Sequence, residues 1–291
     1  MPVKTGLLLV LCLLTFNAYA NFEAIKIPGA VCGNGGSFSV FYKKGDQKKL
    51  AVEFMGGGAC WSASTCYGPN LRAWFHQLPK AITNASLAAT GSKKDNPFYG
   101  HSFLYIPYCT GDVFAGKHTA KYRFGIKAHH QGYSNTKLIF DHLIKEKIIE
   151  PNEVQDLGLF GASAGALGAL IHGKDIEARF PNAIKKTLIA DSPGLHWGQD
   201  FWNKFSPRML EDIIDALAKV NLEIDTHDGF IAELLPEVCS LYRDFNIGFL
   251  QGSKDVIMTL MFGNISTKDH EKLIYSERGL YGVTQRMKRA Y

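Results

Sequence analysis

The chain has 291 residues, 46% hydrophobic and 20% charged, with a formal net charge of +5. That balance, without repeats or low-complexity tracts, excludes disordered, collagen-like and solenoid architectures and leaves length for one substantial core. Basic residues are dispersed, apart from a C-terminal "RMKRA", which argues against nucleic acid as a partner.

In chain order, the first element is a targeting segment. Lys4, the apolar run "GLLLVLCLLTF" and Ala18-Tyr19-Ala20 form a signal peptide over residues 1–20, too short to be a membrane anchor. The mature chain, 21–291, is therefore expected to be secreted or periplasmic. "FSVFYK" and "KLAVEF", separated by the polar turn "KGDQK", predict a hairpin at a sheet edge. "SFLYIPY" predicts a further strand, after a long irregular segment of the kind that covers a substrate.

From Ser134 the pattern is more regular. "SNTKLIFDHLIKEK" predicts a helix capped by Ser134, with His142 at the core edge. Next come strand "DLGLFG", helix "SAGALGALIHGKDIEARF", strand "KKTLIADS", helical "PRMLEDIIDALAKV" and "DGFIAELLPEVCSLYR", and strand "FNIGFLQG". Such alternation builds a mostly parallel sheet through right-handed crossovers, an α/β architecture in a single domain.

Removal of the signal peptide takes Cys12 and leaves Cys32, Cys60, Cys66, Cys109 and Cys239. An oxidising compartment favours pairing, and the odd number leaves one thiol without a partner in this chain. Cys60 and Cys66 are close enough to close a small loop. Cys32 with Cys109 then ties the N-terminal segment to a strand end, and Cys239 is left over.

Gly161-Ala162-Ser163-Ala164-Gly165 fits G-x-S-x-G between a strand and a small-residue helix. There a nucleophilic serine needs small neighbours on both sides, and the helix N-terminus favours a developing oxyanion. A close-packed helix start would use the same residues. "EFMGGGACW" adds three glycines after a strand, where a backbone can aim N–H groups at negative charge.

"FMGGGACWSASTC", "YIPYCTGDVFAG", "HHQGYSNTKLIFDHL", "GLFGASAGALGAL" and "LIADSPGLHWG" together resemble successive blocks of the pectin acetylesterase and Notum family of carboxylesterases. The resemblance implies an α/β-hydrolase-like fold with helices on both faces of the sheet, and a metal-free, cofactor-free Ser/Asp/His esterase. It implies Ser163 as nucleophile, Gly57, Gly58 and Ala164 as oxyanion donors, and Asp255 as triad acid. The pairings Cys60–Cys66 and Cys32–Cys109 are also similar to the family's.

Asp191, ending "KKTLIAD", competes with Asp255 for the acid role, but the chain order Ser, acid, His favours Asp255. Only His270 follows Asp255, in "STKDHEKLIYSERGL", which reads as a helix start, and no strand follows it. The family's last block, a strand with its histidine, has no counterpart, so the expectation is a C-terminally incomplete fold lacking its last strand. His129-His130 have no further ligand at metal spacing. The expected function is O-deacetylation of a polysaccharide such as pectin by an exported monomer. The alternatives are a fatty-acyl ester deacylase and an inactive glycan-binding homologue.

Overall fold

The computed structural model describes residues 22–68, 74–86, 93, 95–196, 199–224 and 230–290; the expected signal peptide lies outside them. Among the described residues the strands are β1 (Glu23–Val31), β2 (Ser37–Lys43), β3 (Asp46–Phe54), β4 (His101–Ile106), β5 (His118–Lys121), β6 (Lys127–His130), β7 (Asp156–Ala162), β8 (Lys185–Asp191) and β9 (Asn246–Leu250). The α-helices described with them are α1 (Ala63–Cys66), α2 (Gly132–Lys145), α3 (Ala164–Glu177), α4 (Gln199–Trp202), α5 (Pro207–Ala218), α6 (Leu235–Leu241), α7 (Thr267–Tyr275) and α8 (Leu280–Ala290).

Seven strands form one sheet in the order β1-β2-β4-β3-β7-β8-β9, and β5-β6 form a separate hairpin. β3 runs parallel to β4 and β7, and β7-β8-β9 continue parallel. β1-β2 and β2-β4 are antiparallel. The sheet is thus mostly parallel, with α2, α3, α5 and α6 contributing to the larger apolar core. On the other face Phe41, Phe103, Tyr105 and Phe160 pack with Phe98 and with Ile82 of the 3-10 turn Lys80–Ala85.

The hairpin expected from "FSVFYK" and "KLAVEF" does not form. β4 lies between β2 and β3, and β2 pairs instead with β1. The last five residues of β3 are all buried, so that strand needs neighbours on both edges. The turn crosses the start of β4, where a side chain on Gly45 would lie 2.3 Å from the His101 carbonyl oxygen. The expected Ser134 cap is also displaced: α2 begins at Gly132, with Gln131 at its N-cap. The capping carboxylate is remote, because the Gly132 N–H donates to Asp112 Oδ2 at 2.6 Å. Asp112 is fully buried and also accepts from Thr110 Oγ1 at 2.6 Å and from the Phe114 N–H at 3.2 Å. Burial raises its pKa while these donors oppose the rise.

Both expected disulfides are present, Cys32–Cys109 and Cys60–Cys66, and Cys239 is free. Among the described residues no helix is long and apolar enough to cross a membrane.

Candidate active site

β7 ends at Ala162 and α3 begins at Ala164, leaving Ser163 alone at the junction with φ 54° and ψ −122°. This backbone region is strained for any residue with a Cβ. The turn is tight enough to require glycine on both flanks. A Cβ on Gly161 would lie 2.0 Å from the Gly165 carbonyl oxygen, and one on Gly165 would lie 2.0 Å from that of Phe54. Close packing and serine display therefore use the same glycines, so the two readings of the pentapeptide are compatible.

The neighbouring strand holds the turn. Ala162 pairs with Asp191, which pairs with Leu250, in the last rung of the parallel ladder. One step beyond, the Ser163 N–H donates to the Asp191 carbonyl at 2.7 Å and the Ser192 N–H to the Leu250 carbonyl at 2.8 Å. Ser192, like Ser163, has a positive φ, 51°. The Asp191 carboxylate accepts from its neighbour, Ser192 Oγ, at 2.8 Å.

The glycine-rich loop leaves β3 beside this turn. A Cβ on Gly56 would lie 3.3 Å from that of Ser163, so the loop backbone passes directly over the serine. Gly57 is pressed against Tyr108 and Trp74, which a Cβ there would meet at 2.5 and 3.4 Å. Trp74 is about half exposed and was not singled out in the sequence, because nothing local marks its approach to Gly57. Among the described residues no protein acceptor takes the N–H groups of Gly57, Gly58 or Ala164. Such free donors beside a helix N-terminus can hold an oxyanion. The disulfide Cys60–Cys66 closes the far end of the loop, and the Cys60 N–H donates to the Gly111 carbonyl at 2.9 Å.

Asp255 follows β9 and is half-buried; its Oδ1 accepts from the Met258 N–H at 2.9 Å, at the entry to a π-helical turn, Ile257–Gly263. His270 lies on α7, as its sequence context predicts, buried, with Nδ1 3.2 Å from the Ser253 carbonyl. Its ring stands edge-on to His196 at 5.5 Å. Burial, reinforced by the nearby His270, lowers the His196 pKa to about 4. Among the described residues no hydrogen bond joins Asp255 to a histidine, or Ser163 Oγ to any side chain.

His130, His172 and His118 have structural partners. His130 donates from Nδ1 to the Thr110 carbonyl and accepts at Nε2 from Tyr122. His172 donates to the Phe114 carbonyl and stacks on Phe54. Burial lowers both pKa values to about 4. His118 Nδ1 faces the buried Asp212 carboxylate at 2.6 Å, a pair absent from the sequence reading because its partners are 94 residues apart. Among the described residues no cluster of three or more His, Cys, Asp or Glu could hold a metal.

A pectinacetylesterase family model matches residues 17–213, a span that runs through the elbow into α5. The chain belongs to the pectinacetylesterase family. Asp255 lies beyond the matched region. The chain is 25% identical over 182 residues to the palmitoleoyl-protein carboxylesterase NOTUM of Schmidtea mediterranea, covering 59% of this chain and 33% of that protein. It is 26% identical over 188 residues to pectin acetylesterase 11 of Arabidopsis thaliana, covering 61% and 46%. The chain thus matches between a third and just under half of these relatives' lengths. The Drosophila Wnt deacylase Notum shares the fold, with a TM-score of 0.53 at 14% identity over 82% of this chain and 74% of that one.

Proposed function

We propose that this pectinacetylesterase family member is an exported serine carboxylesterase that O-deacetylates a polysaccharide such as pectin through an acyl-enzyme on Ser163. The observation that carries the proposal is the Ser163 elbow, strained at φ 54° with Gly56, the first glycine of the loop, packed against it. Ser163 Oγ attacks the ester carbonyl as its proton passes to solvent water, and the N–H groups of Gly57, Gly58 and Ala164 receive the oxyanion. The C–O bond then breaks, the sugar hydroxyl leaving with a proton from that water, and a second water cleaves the acetyl-serine to release acetic acid and restore the Ser163 hydroxyl. Asp255 is the acid of the triad in chain order. Disulfide pairing supports export to an oxidising compartment.

Because no imidazole is hydrogen-bonded to Ser163 among the described residues, the expected rate is that of a serine esterase relying on its oxyanion hole and binding alone. Acetate release from acetylated pectin, and hydrolysis of p-nitrophenyl acetate, test this. Slow release that disappears in Ser163→Ala supports the reading. Release that survives Ser163→Ala removes the nucleophile from it. Binding of acetylated pectin with no release at all supports the inactive glycan-binding homologue.

A second reading, a fatty-acyl ester deacylase, draws on the segment after Asp255. Val256, Ile257 and Leu260 are each more than half exposed there, an aliphatic surface suited to an acyl chain. Faster hydrolysis of octanoyl than of acetyl esters distinguishes it.

A further inference from the structure

The small hairpin β5-β6 has two unlike faces. Its inner face is fixed to the body of the protein: His118 faces the buried Asp212 carboxylate, and Ala128 packs with Cys60, Cys66 and Phe75. The hydroxyl of Tyr67, the residue after Cys66, donates to the Lys127 carbonyl at 3.1 Å. On the outer face the register sets Thr119 opposite His129 and Lys121 opposite Lys127. Both lysines are exposed, as is Arg123 in the turn beyond them. The sequence shows these cations as dispersed, and only strand pairing gathers them.

Nothing near them in the chain answers this charge. No Asp or Glu occurs between Asp112 and Asp141, a stretch that includes Lys117, Lys121, Arg123, Lys127 and Lys137. Among the described residues, Lys121, Arg123 and Lys127 take part in no ion pair. Like charges directly opposite one another on paired strands destabilise the pairing. The turn adds a second cost, because Phe124 is held at φ 63°, an outlying conformation for a bulky side chain. Its ring is 86% exposed and is the one large apolar group that the hairpin projects.

We propose that the outer face of β5-β6 is a docking site, apart from Ser163, for an acidic polysaccharide whose uronate carboxylates lie on Lys121, Lys127 and Arg123. The inference rests on the polysaccharide esterase reading above and adds a second point of attachment to it. A polyuronate carries a carboxylate on every sugar, so one chain can meet all three cations, and the C–H face of a sugar ring can stack on Phe124. Position favours such a ligand. Ala128 touches the Cys60–Cys66 link of the glycine loop, and Phe75 of the same cluster follows Trp74, the half-exposed ring against Gly57. A polymer held on the hairpin is thereby kept at high local concentration near the elbow. A lipid surface is the poorer match, since an element that lies on a membrane presents a row of apolar side chains and the hairpin presents one.

The test is equilibrium binding of polygalacturonate, which has no acetyl ester to be cleaved, to the Ser163→Ala variant. Binding is expected to weaken as ionic strength rises, and methyl-esterified pectin, whose carboxylates are neutral, is expected to bind far more weakly. Adding Lys121→Ala, Arg123→Ala and Lys127→Ala together is expected to weaken polygalacturonate binding at least about tenfold, from the loss of three exposed ion pairs. The unfolding midpoint should stay the same or rise, because the opposed lysines are gone. Phe124→Ala is expected to weaken binding several-fold without changing its salt dependence. Removing equal charge elsewhere, with Lys137→Ala, Lys145→Ala and Lys268→Ala, is expected to leave binding in place. Absence of polygalacturonate binding, equal binding of methyl-esterified pectin, binding that survives the hairpin triple variant or falls equally with the control triple, or stronger binding to vesicles of phosphatidylserine and phosphatidylcholine each overturn the proposal. Failure of the catalytic reading is seen separately, as hydrolysis of p-nitrophenyl acetate that survives Ser163→Ala, and leaves the binding result standing.

Discussion

The Ser163 N–H donates to the Asp191 carbonyl at 2.7 Å, one step beyond the last paired rung of β7 and β8. The serine thus turns away from the sheet while its amide is still part of the ladder. That amide is occupied, so on the helix side the donor left for the proposed oxyanion hole is the Ala164 N–H. Asp191 serves the elbow through its main chain, while its carboxylate is held by Ser192.

The strain at Ser163 is open to direct measurement. Glycine adopts φ 54° without the Cβ penalty that alanine keeps, and relief at such a position is worth about 1 kcal/mol. Ser163→Gly is expected to unfold at a higher temperature than Ser163→Ala, with both lacking the Ser163 hydroxyl. Equal midpoints would show that the turn is relaxed.

The flanking glycines behave oppositely. A methyl at Gly165 would sit 2.0 Å from the Phe54 carbonyl oxygen, a backbone atom that cannot swing aside. Gly165→Ala is expected to lose about 3 kcal/mol in chemical denaturation, at the upper end of overpacking costs. Gly100→Ala is a useful contrast, since nothing lies within 4 Å of a Cβ there and only its positive φ opposes the change.

Removing Asp112 would leave the Thr110 hydroxyl and the Phe114 and Gly132 N–H groups without their buried acceptor. At about 1 kcal/mol or more for each unsatisfied donor, Asp112→Ala is expected to cost at least about 3 kcal/mol. Amide exchange should rise first in the opening turn of α2. A fall confined to peripheral loops would contradict the capping role.

Acid should destabilise the fold through its buried imidazoles. His130 and His172 have pKa values lowered by burial to about 4, against about 6.5 in the unfolded chain. The unfolded state therefore binds more protons between those values. The contribution is complete above pH 6.5 and disappears as pH falls towards 4, by up to about 3 kcal/mol for each histidine. Unfolding free energy measured across this window should slope upward with pH, and His172→Gln should reduce the slope by about one proton. An unchanged slope would show that His172 does not carry it.

In the chain-entropy account, the Cys32–Cys109 bond, spanning 77 residues, stabilises by about 4.5 kcal/mol and Cys60–Cys66, spanning 6, by about 2 kcal/mol. Cys60→Ser with Cys66→Ser should accordingly cost less stability than Cys32→Ser with Cys109→Ser. The smaller link closes the glycine loop over Ser163, so its loss should lower Ser163-dependent hydrolysis more than it lowers the unfolding midpoint. Equal proportional losses would argue against a role in positioning the loop.

What the sequence revealed was local. The elbow at Ser163, the glycine loop and the short Cys60–Cys66 link are each written within a few residues. The identities of the parallel strands were legible as apolar runs, but their order was not. β4 enters between β2 and β3 from about fifty residues downstream, and the polar turn at Gly45 looks the same whether it closes a hairpin or crosses another strand. β1 was missed because its apolar positions are few and do not alternate cleanly. The start of α2 was misread for a similar reason: Ser134 is a plausible cap by type, but the carboxylate at the helix start comes from Asp112. The placement of Asp255 and His270 depends on packing among α7, α8 and the π-helical turn, which no spacing rule reports.

Ser163 and Ser192 adopt positive φ at adjoining strand ends, although glycine would be more comfortable at either position. Two strained serines thus stand side by side at the carboxyl ends of β7 and β8, so folding energy is stored in the backbone at one spot on the sheet. Comparing the Ser163→Gly and Ser192→Gly variants in survival under heat and in hydrolysis would show which of the two strains is maintained for chemistry and which for shape.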